Sequence, residues 1–222
     1  MLAMLPDVPV SEQDERAAAA PPAVAAPAPR KRPPPGERRV QILQTLASML
    51  ERPGSERITT AALAARLQVS EAALYRHFAS KAQMFEALID FIEGSVFHLV
   101  NQLEEREADG RVRAARLMAL LFQFAEKNPG MTRVMVGDAL VFEHERLQQR
   151  MNLFFDKLEA ALRQMLRRTD DAAAATATPN ADAQVAASAL TAFALGRLQR
   201  FARSGFRRPP GEHLEAVLAR WL

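Results

Sequence analysis

From Gly36 to Leu222, apolar side chains recur every three or four residues in segment after segment, and nowhere do they alternate with polar ones over more than four residues. A chain patterned this way buries its apolar residues on helical stripes and has no half-buried strand from which to build a sheet. The expected fold is therefore all-α. Breakers and caps divide the pattern. Val40, Leu43, Leu46, Ala47 and Leu50 share a stripe that ends at Pro53-Gly54. Thr59 is a good cap for a short Ala-rich helix over Thr60 to Leu67, and Ser70 caps another over Glu71 to Phe78. Ser80 opens a long helix that carries Met84, Phe85, Leu88, Ile89, Ile92, Val96, Leu99, Val100 and Leu103 before Asp109-Gly110 breaks it. Further helices are expected over Val112 to Glu126, stopped at Asn128-Pro129-Gly130, over Met131 to about Phe142, and over Glu145 to Arg168. After a loop from Thr169 to Pro179, two more run from Asp182 to Arg203 and from Pro210 to Leu222.

Residues 1 to 35 differ in kind. They are rich in Ala and Pro, with almost no large apolar side chain after Val10, and are expected to be a disordered extension. The division that follows is 1–35 extension, 36–80 a first small helical domain, and 81–222 a larger helical one. The start of the chain lacks the basic and apolar run of a secretory signal, and the most apolar stretch, Ala114 to Ala125, is far shorter than the ~20 residues of a bilayer span. A cytoplasmic location without membrane partners is expected. The chain has no cysteine, which removes disulfides, thiolate metal ligands and thiol nucleophiles.

Two short helices joined by a three-residue turn can place the second in a DNA major groove while the first crosses the backbone. Here Leu63 and Leu67 can lock against Leu74 and Phe78, leaving Glu71, Ala72, Ala73, Tyr75, Arg76 and His77 to face outward. Small residues at the start of the second helix let it approach base edges closely, and the Ser70 hydroxyl with the free N–H groups behind it suits a phosphate oxygen. Tyr75 and Lys81 are placed to reach further phosphates, although a half-buried aromatic and a surface charge are the plain alternatives. His77 reads equally as a groove contact or a core-edge histidine. The net charge of +3 is too small to argue for nucleic acid, but Arg30, Lys31, Arg32, Arg38 and Arg39 fall within ten residues, either a solvated linker or a phosphate-contacting arm.

The stretch from Ile58 to Lys81 resembles the DNA-binding motif of the TetR family of regulators. Within that family, Val69 to Phe78 is similar to the nucleoid occlusion factors, a likeness that continues through Phe85, Leu88 to Glu93, Glu126 to Arg133, Ala139 to Glu143 and Arg146 to Arg150. The resemblance implies a TetR-like architecture: a three-helix helix-turn-helix domain, then a helical regulatory and dimerisation domain. It also implies a homodimer, or a dimer of dimers, on palindromic chromosomal sites, engaging the C-terminal tail of the division GTPase FtsZ to antagonise ring assembly over the nucleoid. By position, Thr59, Thr60, Ser70, Tyr75 and Lys81 would contact DNA, while Phe91, Leu120, Lys127 and Asn128 would line an FtsZ-tail groove between the fourth and fifth helices. Gln68 stands where the family usually has Gly, Leu99 and Gln123 differ from the family along the groove, and the N-terminal extension is longer than expected.

Two other classes compete with this reading. A ligand-responsive TetR-type repressor would need a pocket inside the larger domain, yet Leu117, Leu120, Leu121, Phe122, Phe124, Phe154 and Phe155 are bulky enough to fill that interior, and few polar groups remain to orient a ligand. An enzyme finds little support: His144-Glu145 lacks the second histidine of a zinc helix, His98 and His213 have no partner at ligand spacing, and no phosphate-binding glycine loop or nucleophile elbow occurs. No cofactor is expected. For dimerisation, Val185, Leu190, Phe193, Leu195, Leu198 and Phe201 nominate the helix Asp182 to Arg203, with Arg197, Arg200, Arg203, Arg207 and Arg208 as a solvated basic face beside it.

Overall fold

The computed structural model describes residues 36–52, 58–167 and 179–222. Among them are nine α-helices: α1 (Glu37–Leu50), α2 (Thr60–Leu67), α3 (Glu71–Tyr75), α4 (Lys81–Arg106), α5 (Gly110–Lys127), α6 (Pro129–Met135), α7 (Glu145–Arg167), α8 (Pro179–Arg203) and α9 (Leu214–Trp221). A 3-10 turn over Asp138–Leu140 precedes α7, and no strand occurs among the described residues. The basic residues Arg30, Lys31 and Arg32, Pro53-Gly54 and the loop 168–178 lie outside the described residues.

Side chains that complete helix ends fix most boundaries. The hydroxyls of Thr59, Ser70 and Ser80 accept from the backbone N–H groups of Ala62, Ala73 and Gln83, and Asp109 accepts from Arg111 and Val112, so four helices start where an oxygen satisfies an otherwise orphaned donor. Several boundaries depart from the sequence expectation, among them the starts of α5 at Gly110 rather than Val112, of α8 at Pro179 rather than Asp182 and of α9 at Leu214 rather than Pro210. Helix α3 ends at Tyr75 rather than Phe78, because the N–H groups of His77 and Phe78 both turn back to the Leu74 carbonyl and Phe78 drops into the core. Asn128-Pro129-Gly130 does more than stop α5: Pro129 occupies the first turn of α6, where its missing N–H is no loss. Gly137, at φ 82°, then ends the helical run that the periodicity carries to Phe142.

Helix α1 also turns differently from its expected stripe: Ile42, Leu46, Ala47 and Leu50 are buried while Val40 is 54% exposed. It packs on α2, α4 and α6. Helix α4 is the spine, contacting α1, α5, α6 and α7, and α8 lies along α7. Arg146 reaches Glu86, Arg150 reaches Asp90 and Glu93, and Lys157 reaches Glu93, so residue numbers climb together and α4 and α7 run parallel along an ion-pair ladder. The Asp90 hydrogen bond, aided by the charges of Asp90 and Glu93 and opposed by burial, raises the Arg150 pKa above its ordinary value. Phe97 edge-on to Phe154, 5.9 Å between centroids, continues the seam into the core.

The joint between α1 and the larger body is α6. A Cβ on Gly130 would lie 2.0 Å from the Ala47 carbonyl oxygen, so the two backbones meet only because this residue has no side chain. From the same helix Arg133 donates to the carbonyls of Leu50 and Arg52 at the end of α1, 3.1 and 3.3 Å away. Thr132, fully buried, donates to the Ala125 carbonyl and ties α6 back onto α5.

Candidate nucleic-acid interface

Helices α2 and α3 pack through Leu63, Ala64, Leu74 and Phe78, all buried, with Leu67 and Val69 partly buried beside them. Their turn passes through Gln68 in the left-handed conformation (φ 56°, ψ 46°), the conformation for which a glycine is preferred. Glu71, Ala72, Tyr75, Arg76 and His77 are exposed and Ala73 partly so, the outward face expected of α3. Thr59 and Ser70 are exposed as well, each hydroxyl already accepting its capping N–H.

The polar residues of this face are connected, a feature that residue-by-residue reading does not reveal. The Thr60 hydroxyl donates to a Glu71 carboxylate oxygen at 2.6 Å, and the Tyr75 hydroxyl lies 3.5 Å from Thr60 Oγ1, stringing α2 to both ends of α3. Tyr75 is 45% exposed, so its ring stands in solvent while its hydroxyl faces that string. His77 sits on the solvent side, not at the core edge, and its carbonyl accepts a 2.7 Å hydrogen bond from Arg39. The Arg39 guanidinium also covers the Phe78 ring, 4.0 Å from the centroid, while Arg38 donates to Gln41. Both guanidiniums are hydrogen-bonded within the chain to neutral groups, and Arg39 clamps α1 to the end of α3.

Lys81 is held too. Its ammonium pairs with the Glu143 carboxylate, the two side chains only 16% and 8% exposed, and lies over the Phe85 ring. The pair bridges the start of α4 to the loop before α7, across 62 residues of sequence.

The second set of candidates lies along the α4–α5 hairpin. Phe91 is 52% exposed, Lys127 is exposed and Leu120 is half-buried against the core. The Asn128 amide donates to the Phe124 carbonyl at 2.8 Å, closing the C-terminal end of α5. At α8, Leu190, Leu198 and Phe201 are buried within the protomer, whereas Val185 is 70% exposed and Ala189, Ala192 and Gly196 share its open stripe. Arg197 is not a solvated charge: it donates to the carbonyls of Pro209, Pro210 and Glu212 and fixes the turn into α9. Leu117, Leu121, Phe122 and Phe154 are buried to within 1% in the continuous core where a regulatory ligand would have to sit. Among the described residues no cluster of three metal-ligating side chains forms, and no helix is long and apolar enough to cross a membrane.

Residues 42–88 match the model of bacterial regulatory proteins of the tetR family, and residues 108–221 match that of the SlmA-like C-terminal domain of tetracyclin repressor-like proteins. The nucleoid occlusion factor SlmA of Idiomarina loihiensis is 48% identical over 81% of this chain and 90% of its own length. That of Shewanella sediminis is 49% identical over 80% and 89%, and that of Escherichia coli O81 is 48% identical over 83% and 91%. The chain belongs to the SlmA nucleoid occlusion factors of the TetR family. Solved TetR structures share the fold at lower identity. A TetR-like regulator from Rhodococcus superposes with TM-score 0.66 at 18% identity, over 85% of this chain and 97% of that one. AibR, solved with isovaleryl coenzyme A and operator DNA, gives 0.63 at 16%, over 82% and 97%. As a member of this family the protein is a DNA-binding regulator rather than an enzyme.

Proposed function

We propose that this SlmA-family protein binds palindromic chromosomal DNA as a homodimer, with two dimers able to share a site, and that the DNA-bound form engages the C-terminal tail of FtsZ to antagonise ring assembly over the nucleoid. The observation that carries the reading is the 48% identity to an SlmA protein over 81% of the chain, joined to an α2–α3 face with small and polar residues pointing outward. On this reading α3 enters the major groove, with Ala72 and Ala73 allowing close approach and Glu71, Arg76 and His77 facing base edges. Thr59, Thr60, Ser70 and Tyr75 lie along the phosphates, and Lys81 reaches a phosphate by exchanging its Glu143 partner. The open stripe of α8 through Val185, Ala189, Ala192 and Gly196 forms the two-fold contact that spaces the two α3 helices about one DNA turn apart.

Phe91 and Leu120 supply the apolar wall of the FtsZ-tail groove, with Lys127 and Asn128 the polar end. The test is fluorescence anisotropy of a labelled FtsZ-tail peptide against the purified protein, with and without bound palindromic DNA. Saturable binding that DNA strengthens and Lys127→Glu abolishes is the expected result. No binding in either condition would leave a TetR-type repressor with another effector, and the protein would localise at the nucleoid for transcriptional control alone.

A further inference from the structure

Arg113, in the second turn of α5, is 4% exposed, and its Nε is buried without a hydrogen-bond partner. No carboxylate among the described residues pairs with its guanidinium. Only Nε is fully enclosed; the terminal nitrogens keep contact with the surface, and no counter-charge among the described residues meets them there. Arginines held this far inside are normally paired, and an anion from outside the chain is the partner this one lacks.

The helix geometry says which side of α5 the anion would approach. Phe122, nine residues on from Arg113 and so about half a turn round the helix, packs on Phe193 of α8 with centroids 6.0 Å apart. The flank bearing Arg113 is the opposite one, towards α4; Arg116, one turn on, reaches Glu107 at the end of α4 at 2.9 Å. Arg113, Leu120 and Lys127 are spaced by seven and seven, which keeps them within about 40° of one line and spreads them over about 21 Å. One buried cation, one apolar side chain and one exposed cation thus follow one another along the α4–α5 seam, with Phe91 contributed from α4. Such a stripe complements an extended peptide about six residues long with carboxylates at both ends and an apolar centre.

We propose that Arg113 is an anion anchor of the α4–α5 groove, receiving a carboxylate of the bound peptide at the end remote from Lys127. The inference rests on the groove being a peptide site, and it adds a binding residue that the other groove candidates do not include. A buried receptor left unpaired in the free protein gains most of its interaction on binding, so it favours peptides that present a negative charge there and rejects neutral ones of the same shape.

The experiment compares wild type, Arg113→Met, Arg113→Lys and Lys127→Glu. Anisotropy is read with the FtsZ-tail peptide, and with the same peptide bearing an amidated C-terminus and amides for its acidic side chains. Thermal melts of each variant and the Arg113 Nε–H NMR resonance during an acetate titration are recorded in parallel. The expected result is an affinity at least tenfold weaker for Arg113→Met, a partial loss for Arg113→Lys, and no further loss for Arg113→Met when the amidated peptide is used. The Arg113→Met melt is expected at or above wild type, because no partner is orphaned, and acetate is expected to shift the Nε–H signal saturably. Tail binding that Lys127→Glu removes and Arg113→Met leaves intact would overturn the anchor while preserving the groove. If the tail does not bind wild type, the FtsZ reading fails, and the melt with the acetate titration decides the anchor alone: a melt lowered by more than about 5 °C, or an unmoved resonance, overturns it.

Discussion

The helices proposed to face DNA, α2 and α3, and the α4–α5 hairpin are held together by different means. On the α2–α3 face every fixed polar side chain is tied to something nearby: Thr59 and Ser70 to N–H groups three residues on, Thr60 to Glu71, Arg39 to the end of α3. The hairpin presents the reverse, an exposed Phe91, an exposed Lys127 and a buried Arg113 whose Nε is unmatched. A face that meets a regular polymer benefits from rigidity, since every bond made beforehand reduces the ordering needed on contact. A face that meets a peptide can instead keep its strongest group unsatisfied until the peptide supplies the partner. The two faces communicate through few points, and these are the places at which to break the contrast.

The largest effect is expected at Gly130. Its missing side chain lets α6 approach the α1 backbone, and a methyl group there would need about an ångström or more of separation to clear the Ala47 carbonyl oxygen. Gly130→Ala should cost about 3 kcal/mol by overpacking against backbone that has no rotamer to yield. In a protein of this size that lowers Tm by about 6–12 °C, measured by calorimetry. A change under about 2 °C would show that α1 and α6 are less firmly joined than the geometry states, and the DNA face would then be free to move relative to the body.

Next is the Lys81–Glu143 pair, which links the two faces. Because both side chains are largely buried, Glu143→Gln should destabilise by about 1–2 kcal/mol through loss of a compensating charge. It should also free Lys81 for the phosphate without the exchange, strengthening DNA binding several-fold, about 1 kcal/mol, with the salt slope unchanged. Destabilisation with unaltered affinity would make Lys81 a structural residue only. Smaller again is Tyr75→Ala, expected to weaken binding about fivefold, roughly 1 kcal/mol, on specific and non-specific DNA alike. A loss confined to one sequence would move Tyr75 from phosphate to base contact.

What is legible in the sequence follows the same division. Caps and helix stripes act over one turn, so Thr59, Ser70 and Ser80 announce three helix starts, and Leu63 and Leu74 the packing between α2 and α3. Pairings between distant segments leave no local trace. Lys81 with Glu143 and the ladder of Glu86, Asp90 and Glu93 with Arg146, Arg150 and Lys157 join charges that each read as ordinary surface residues. Arg39 and Arg197 read as members of basic clusters, yet both are committed to backbone carbonyls. The apolar residues of α8 point to a dimer contact in sequence because periodicity does not tell which of two stripes faces the protomer's own core; Leu198 and Phe201 face inward, and the smaller Ala189 and Gly196 are left outside. The candidate groove is legible only through family likeness, and Arg113 not at all, since a buried arginine is indistinguishable in sequence from an exposed one.

The smallest expected change tests the rigid face from within. Gln68 holds the α2–α3 turn at φ 56°, where its Cβ crowds the following carbonyl, a penalty of about 1–2 kcal/mol for residues other than glycine. Gln68→Gly removes that penalty and gives back part of it as chain entropy in the unfolded state and as lost interactions of Gln68, leaving a net gain of about 0.5 kcal/mol and a Tm about 1–2 °C higher. DNA affinity should hold, because Val69 N–H still bonds the Ala64 carbonyl and Ser70 still caps α3. A drop in stability would instead mean that the interactions of Gln68 outweigh the backbone strain of the turn.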